Sequence, residues 1–235
     1  MTVIDFHSHI LPGVDDGSRS VEESVALLLM EAEQGIGCVI ATPHFYPQHD
    51  TPEHFLEKRR ESMSALSTAI SQLDGMPQIV LGAEVYFFRG MSSSDQLRRL
   101  TIGGKNCILV EMPPAPWTED MYRELEQIWV QQGLVPVIAH IDRYIRPFGT
   151  QKMLRRLAEL PVLIQANAAF FQNKRTARMA LQMLKMDQIH LLGSDCHNLM
   201  TRKPNLDAAL QKICSKLGES AIQRINQYER KALQE

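Results

Sequence analysis

The amino-acid sequence predicts an α/β fold built on a parallel sheet, and three observations carry that expectation. Short apolar or β-branched runs recur at Val3–Phe6, Cys38–Ala41, Ile79–Leu81, Cys107–Val110, Val135–Ala139, Val162–Gln165 and Ile189–Leu192. Segments of helical period lie between most of them, as right-handed crossovers between parallel strands require. No Gly/Ser-rich linker, low-complexity tract or internal repeat breaks the alternation, so residues 1–235 read as one domain. Two topologies satisfy this pattern, a doubly wound open sheet and a seven-stranded barrel related to the TIM barrel. Neither G-x-G-x-x-G nor G-x-x-x-x-G-K-[ST] follows any run, which weakens the usual nucleotide-binding form of the open sheet.

The helices announce their ends. Ser20 followed by Glu23 is a capping box for a helix over roughly residues 21–34, with Val25, Leu28, Leu29 and Ala32 on its apolar face and Gly35 after it. Thr51-Pro52 opens a second helix with a stripe of Met63, Leu66, Ile70 and Leu73, ended by Gly75. Thr118 caps a third that stops at Gly133, and Pro161 closes another before the sixth strand. A helix over Lys203–Leu217, stopped by Gly218, and a last one from about Ser220 complete the set.

Composition narrows the function. The chain has 235 residues, 44% hydrophobic, with 27 acids against 25 bases for a net charge of -2. That balance excludes a protein that holds nucleic acid or an anionic membrane by charge. Four cysteines at 38, 107, 196 and 214 form no C-x-x-C pair. The N-terminal Met-Thr-Val-Ile-Asp-Phe-His lacks a basic and an apolar export segment, and no run nears the ~18 apolar residues that span a bilayer. The expectation is a cytoplasmic globular protein without membrane insertion; oligomeric state is not legible.

Chemistry in both candidate topologies sits at the C-terminal ends of strands. There the sequence places His7 and His9, then His44, Glu84, Glu111, His140, and finally Asp195 and His197. The H-x-H spacing sends both imidazoles to one face of a strand, and Asp195-x-His197 repeats it. One histidine or glutamate at a strand end is ordinarily a capping or core hydrogen-bonding residue. Six strand ends each carrying a ligand-type residue point instead to a multinuclear metal centre. Mixed imidazole and carboxylate donors suit Mn, Fe or Zn, and the matching chemistry is hydrolysis by a metal-activated hydroxide.

The motifs His7-Ser8-His9-Ile10-Leu11-Pro12-Gly13-Val14-Asp15-Asp16-Gly17, Ala41-Thr42-Pro43-His44, Gly82-Ala83-Glu84-Val85-Tyr86, Pro136-Val137-Ile138-Ala139-His140 and Ser194-Asp195-Cys196-His197-Asn198 occur in that order. Together they resemble the polymerase-and-histidinol-phosphatase (PHP) superfamily, and within it the bacterial manganese-dependent protein-tyrosine phosphatases of capsule and exopolysaccharide systems. The likeness covers essentially the whole chain. It implies a distorted seven-stranded (β/α)7 barrel, TIM-barrel-like, with three Mn2+ ions, or Fe or Zn in their place. By motif, His7, His9, Glu84 and Asp195 would hold one ion, Glu84, Glu111 and His140 a second, and Asp16, His44 and His197 the third. Asp15 matches no family ligand and is expected to be a loop or capping residue. Arg143 and Arg202 would clamp phosphate oxygens. The implied partner is a phosphotyrosine-containing protein, the tail of a tyrosine autokinase controlling polysaccharide synthesis. The competing expectations are another phosphoesterase of the superfamily, such as a histidinol-phosphate phosphatase, and a non-catalytic phosphotyrosine-binding regulator.

One motif points elsewhere. Cys196 and Arg202 have the C-x5-R spacing of thiol-based tyrosine phosphatases, but His-Asn-Leu-Met-Thr lacks the glycine that a phosphate nest favours. Cys196 also alternates away from Asp195 and His197, which predicts a packing residue. Phe45, Tyr46, Tyr86, Phe87, Phe88, Trp117 and Tyr144 gather in the strand-end segments, though aromatics are only 6% of the chain. They either cover the mouth of the fold or stack on an aryl substrate.

Overall fold

The computed structural model describes residues 3–145 and 150–234. The chain alternates strands β1 (Val3–Ser8), β2 (Ile36–Ala41), β3 (His44–Phe45), β4 (Gln78–Leu81), β5 (Glu84–Tyr86), β6 (Cys107–Glu111), β7 (Val135–Ile138), β8 (Leu163–Asn167) and β9 (Leu191–Gly193) with helices. The helices are α1 (Val21–Glu33), α2 (Pro52–Ile70), α3 (Glu119–Gln132), α4 (Thr150–Ala158), α5 (Ala168–Gln172), α6 (Ala177–Lys185), α7 (Leu206–Leu217) and α8 (Glu219–Leu233). Every strand pairing is parallel, in a three-stranded sheet ordered β1-β2-β4 and a curled six-stranded half-barrel ordered β3-β5-β6-β7-β8-β9. Backbone hydrogen bonds from Asp195 N–H to His7 O (2.8 Å) and from His9 N–H to Cys196 O (2.9 Å) tie the segment after β9 to β1.

Strand residues divide by parity into two buried layers. Ile4 and Phe6, Cys38 and Ile40, Cys107 and Leu109, Val137 and Ala139, with Leu163 and Leu191, form one apolar cluster with Ala232 and Leu233 of α8. Their neighbours Val39, Ile108, Val110, Ile138, Ile164 and Leu192 pack in the other cluster with Leu27 and Leu28 of α1 and Leu125 and Ile128 of α3. Such two-faced burial is why these strands read as nearly continuous apolar runs.

Two strands bend where the sequence suggested plain strand ends. His44 and Glu84 lie on short strands of their own, β3 and β5, after breaks at Thr42-Pro43 and Gly82-Ala83. Pro43 has no N–H for a ladder, while its carbonyl accepts from Glu84 N–H at 3.0 Å. The breaks transfer pairing from the small sheet to the half-barrel and bring His44 level with Glu84 in register.

The caps at Ser20 and Thr51 form, each side chain accepting from the N–H three residues on. Three helical details differ from the sequence reading. The buried face of α1 is Ser24, Leu27, Leu28 and Glu31, so Leu29 is 43% exposed. Leu73 lies beyond the end of α2 and is also exposed. The seventh helix starts at Leu206 rather than Lys203, since a residue preceding a proline, here Pro204, is steered away from helical backbone. Among the described residues no helix is long and apolar enough to cross a membrane.

Candidate metal centre

The nine side chains expected from the sequence meet at the C-terminal ends of the strands. His7 Nε2 lies 3.1 Å from Glu84 Oε2 and 3.7 Å from Asp195 Oδ1. His9 Nε2 lies 3.3 Å and 3.5 Å from the same two oxygens. His140 Nε2 is 2.7 Å from Glu84 Oε1 and 3.5 Å from Glu111 Oε1. Asp16 Oδ1 stands 3.6 Å from Nε2 of both His44 and His197. Glu84 is the hub, reached also by His44 Nδ1 at 3.0 Å. Donor atoms close enough to share a cation form the sets His7-His9-Asp195, His9-Asp16-His44-His197 and His44-Glu84-Glu111. In these sets His9 also neighbours the Asp16 group, and His44 also neighbours Glu84 and Glu111.

The donor set fits divalent cations on three grounds. First, His7 Nε2 and His9 Nε2 face each other at 3.0 Å, which two neutral lone pairs would not tolerate without a proton or cation between them. Second, His44 Nδ1, Glu111 Oε2 and His197 Nε2 are buried without a hydrogen-bond partner. Third, the donors are imidazole nitrogens mixed with carboxylate oxygens, the combination that suits Mn, Fe or Zn.

A layer of acceptors behind the cluster aims the imidazoles, and most of it was not legible in the sequence. Asp15 Oδ2 holds His9 Nδ1 at 2.7 Å and also accepts from His44 N–H at 2.8 Å, while its Oδ1 accepts from Gly17 N–H at 2.9 Å. Asp15, a loop residue that caps Gly17 N–H, is thus also a buried carboxylate behind two candidate ligands. Gln165 Oε1 sits 3.2 Å from His7 Nδ1, and the Asp195 carbonyl sits 3.0 Å from His197 Nδ1. With Nδ1 taken, each of these rings presents Nε2 to the centre. Asn167 Nδ2 donates to Asp195 Oδ2 at 2.9 Å. The available signal was the alternation Gln165-x-Asn167, two polar residues on one face of a buried strand.

Electrostatics follow the same contacts. Burial alone would depress His9, but the Asp15 carboxylate, aided by Glu84, holds it up at about 10. Burial likewise opposes charge on His140, and its bonds to Glu111 and Glu84 outweigh that to raise it to about 9. Burial opposes charge on Glu84, but the imidazoles of His7, His140 and His9 around it hold its carboxyl well below the usual carboxylate range. Burial and the nearby His9 charge push His197 down to about 3.

Backbone close approach makes the centre possible. A Cβ on Gly17 would lie 2.3 Å from the His9 carbonyl oxygen, and one on Gly193 would lie 2.5 Å from His7 Cβ. Two candidate ligands, His140 (φ 34°) and Asp195 (φ 55°), occupy the left-handed region that disfavours non-glycine residues, a strain concentrated at functional positions.

Arg143 Nη2 and Arg202 Nη2 each lie 2.6 Å from a different Asp195 oxygen, and both side chains remain more than a third exposed. Cys196 is fully buried, its Sγ 3.8 Å from Glu31 Oε1 on the helix side of the sheet. Burial, with the Glu31 and Asp5 charges adding, pushes its thiol well up, the opposite of an activated nucleophile.

Asp15→Asn is expected to weaken Mn2+ binding by about 10- to 100-fold while leaving the circular dichroism spectrum unchanged. Titration calorimetry on metal-stripped protein measures this; an unchanged Kd would remove the orienting role from Asp15.

A parallel half-barrel whose strand ends converge imidazoles and carboxylates defines a metal-dependent hydrolase of the PHP type. The chain belongs to the capsular polysaccharide synthesis family CpsB/CapC, whose model matches residues 3–233. It is 31% identical to the tyrosine-protein phosphatase CpsB of Streptococcus pneumoniae over 92% of this chain and 91% of that one. It is 27% identical to the tyrosine-protein phosphatase YwqE of Bacillus subtilis, over 92% and 85%. Among solved structures it matches the metal-dependent tyrosine phosphatases YwqE from Bacillus subtilis and CpsB from Streptococcus pneumoniae at TM-score 0.83 and 25% identity, covering 97% of this chain and 93% of that one. A histidinol phosphate phosphatase from Lactococcus lactis shares the fold at TM-score 0.56 and 15% identity, over 94% of each chain.

Proposed function

We propose that the chain is a metal-dependent protein-tyrosine phosphatase. The observation that carries this reading is the convergence of nine imidazole and carboxylate groups in a chain that belongs to a family of tyrosine phosphatases. His7, His9, Glu84 and Asp195 would hold one ion, Glu84, Glu111 and His140 a second, and Asp16, His44 and His197 a third, the ions being manganese, or iron or zinc in its place. Bound divalent cations supply an activated water and neutralise charge on the attacked phosphoryl group.

The chain's own residues do the rest. Arg143 and Arg202 are positioned to bind phosphate oxygens, their planar forks suited to two-point contact. The Asp195 charge, with Glu84 and Glu111, outweighs burial and keeps Arg143 firmly protonated. Tyr46 stacks on His44 at 5.1 Å between ring centres and lies 5.6 Å from Tyr86. Both rings are partly exposed at the mouth, which suits contact with a phenyl group. Trp117 packs edge-on against Tyr144 at 5.1 Å, and the Tyr144 hydroxyl donates to Met112 O at 2.8 Å, so those two build the wall instead.

The two sheets support a distorted seven-stranded barrel, in which β2 with β3 and β4 with β5 would count as bent single strands and the hydrogen bonds between the segment after β9 and the end of β1 would join the sheets. In this reading residues 1–235 are one domain of a cytoplasmic enzyme acting on the phosphotyrosine tail of an autokinase for polysaccharide synthesis. Turnover of p-nitrophenyl phosphate, a phosphotyrosine peptide and histidinol phosphate by the Mn2+-loaded protein tests it. The first two should be hydrolysed, and histidinol phosphate at least about 100-fold less efficiently. Preference for histidinol phosphate, or binding of the peptide without turnover, would overturn the assignment.

A further inference from the structure

The segment after β9 builds a second feature beside the metal centre. A cavity of about 400 Å³ opens next to Asp195 and is lined by Arg143, Asn167, Met200, Arg202, Lys203 and Asn205, among others. The ion pairs on this wall are those of Arg143, to Asp195 and Glu111, and of Arg202, to Asp195. Lys203 is exposed and has no acidic partner among the described residues. Asn205 is the N-cap residue before the twelve-residue α7, whose N-terminal dipole adds to the positive potential of the same wall.

The loop that carries Lys203 is fixed before any ligand arrives. Asn198 Oδ1 accepts from the N–H groups of Met200 (3.0 Å), Thr201 (2.8 Å) and Arg202 (3.3 Å). The Arg202 carbonyl in turn accepts from His197 N–H (2.8 Å) and Asn198 N–H (3.2 Å). The same loop therefore contributes a candidate metal ligand, a phosphate-binding arginine and, one residue further on, an unpaired ammonium. Met200, 82% exposed, offers apolar contact at the rim.

We infer that this cavity is a subsite for a carboxylate side chain flanking the phosphorylated tyrosine, and that Lys203 selects it. The inference rests on the phosphatase reading. A polypeptide whose phosphate lies between Arg143 and Arg202 must continue past one side of that position, and the wall there is cationic. A rim charge of this kind acts mainly on encounter and KM, and its effect is screened by salt.

The test compares the Mn2+-loaded protein on three phosphotyrosine peptides that differ only in flanking Glu, Gln or Lys residues, with p-nitrophenyl phosphate as a reference. The wild type should favour the Glu peptide over the Lys peptide by about five- to tenfold in kcat/KM, carried by KM and reduced at 0.5 M salt. Lys203→Glu should invert that order, and Lys203→Gln should flatten it, with p-nitrophenyl phosphate turnover within about twofold throughout. Equal turnover of all three peptides, or a Glu preference that survives in Lys203→Glu, would overturn the subsite alone. No turnover of p-nitrophenyl phosphate or of any peptide would overturn the phosphatase reading, and the subsite with it.

Discussion

Asp195→Ala is expected to lower kcat/KM for p-nitrophenyl phosphate by at least about 10³-fold, whereas Cys196→Ser should stay within about threefold of the parent. The two neighbours differ because they face opposite sides of the sheet. Asp195 accepts from Asn167 and meets both arginines at 2.6 Å, with His7 and His9 within 3.7 Å. Removing its carboxylate deletes a candidate ligand, takes the counter-charge from Arg202 and leaves Arg143 only the longer contact to Glu111 at 3.6 Å. The Cys196 side chain meets Glu31 in the helix layer, and its bond to the centre is made by the backbone carbonyl alone, which accepts from His9 N–H. Asp195→Asn separates chemistry from folding, because the amide keeps the shape and loses the charge; it should be as inactive as the alanine variant at near-native melting temperature. An inactive Cys196→Ser protein with normal metal content would instead assign the reaction to the thiol.

Chelation has an effect of similar size. Dialysis against EDTA should reduce turnover to background and lower Tm, and Mn2+ should restore both, with three equivalents bound per chain. The Tm change follows from mass action, since a ligand that binds only the folded state stabilises it by about 2.7 kcal/mol at 100 times its Kd. The buried unpartnered atoms of His44, Glu111 and His197 give that stabilisation its origin, because a cation satisfies donors the fold leaves open. Full activity in protein shown metal-free by elemental analysis would refute metal dependence, and one equivalent would redraw which ligands are shared around Glu84.

The near-neutral chain charge acquires a local meaning here. Composition argued against a polyanionic partner and was silent about a single phosphate. Four carboxylates crowd the strand ends, with Arg143, Arg202 and Lys203 along one flank, so a chain of net charge -2 presents a strongly patterned mouth.

Much of the site was legible because ligand-type residues recur at the ends of apolar runs, where parallel α/β folds place chemistry. His7-x-His9 and Asp195-x-His197 stand out on spacing alone. The capped helix starts at Ser20 and Thr51 were legible for a similar reason, since capping is a contact between residues three apart. The supporting layer was not. Asp15 looked like a loop residue beside Asp16, and Gln165 like the last residue of a strand, because their partners lie 6 and 158 residues away in sequence. The face of α1 departs from its apolar periodicity for a related reason: Glu31 and Ser24 are buried, and periodicity assigns polar residues to solvent.

The sequence by itself determined the α/β class, the family motifs and the identities of the nine converging side chains, all of which are local patterns or short spacings. Only the tertiary structure decided which donors share a position, since that depends on the bends at Pro43 and Gly82 that bring His44 level with Glu84. It alone also decided that Cys196 faces away from the centre while Asp15 and Gln165 stand behind it. These are contacts across strands and layers, fixed by sheet curvature and by close backbone approach at Gly17 and Gly193, and linear spacing carries no record of either.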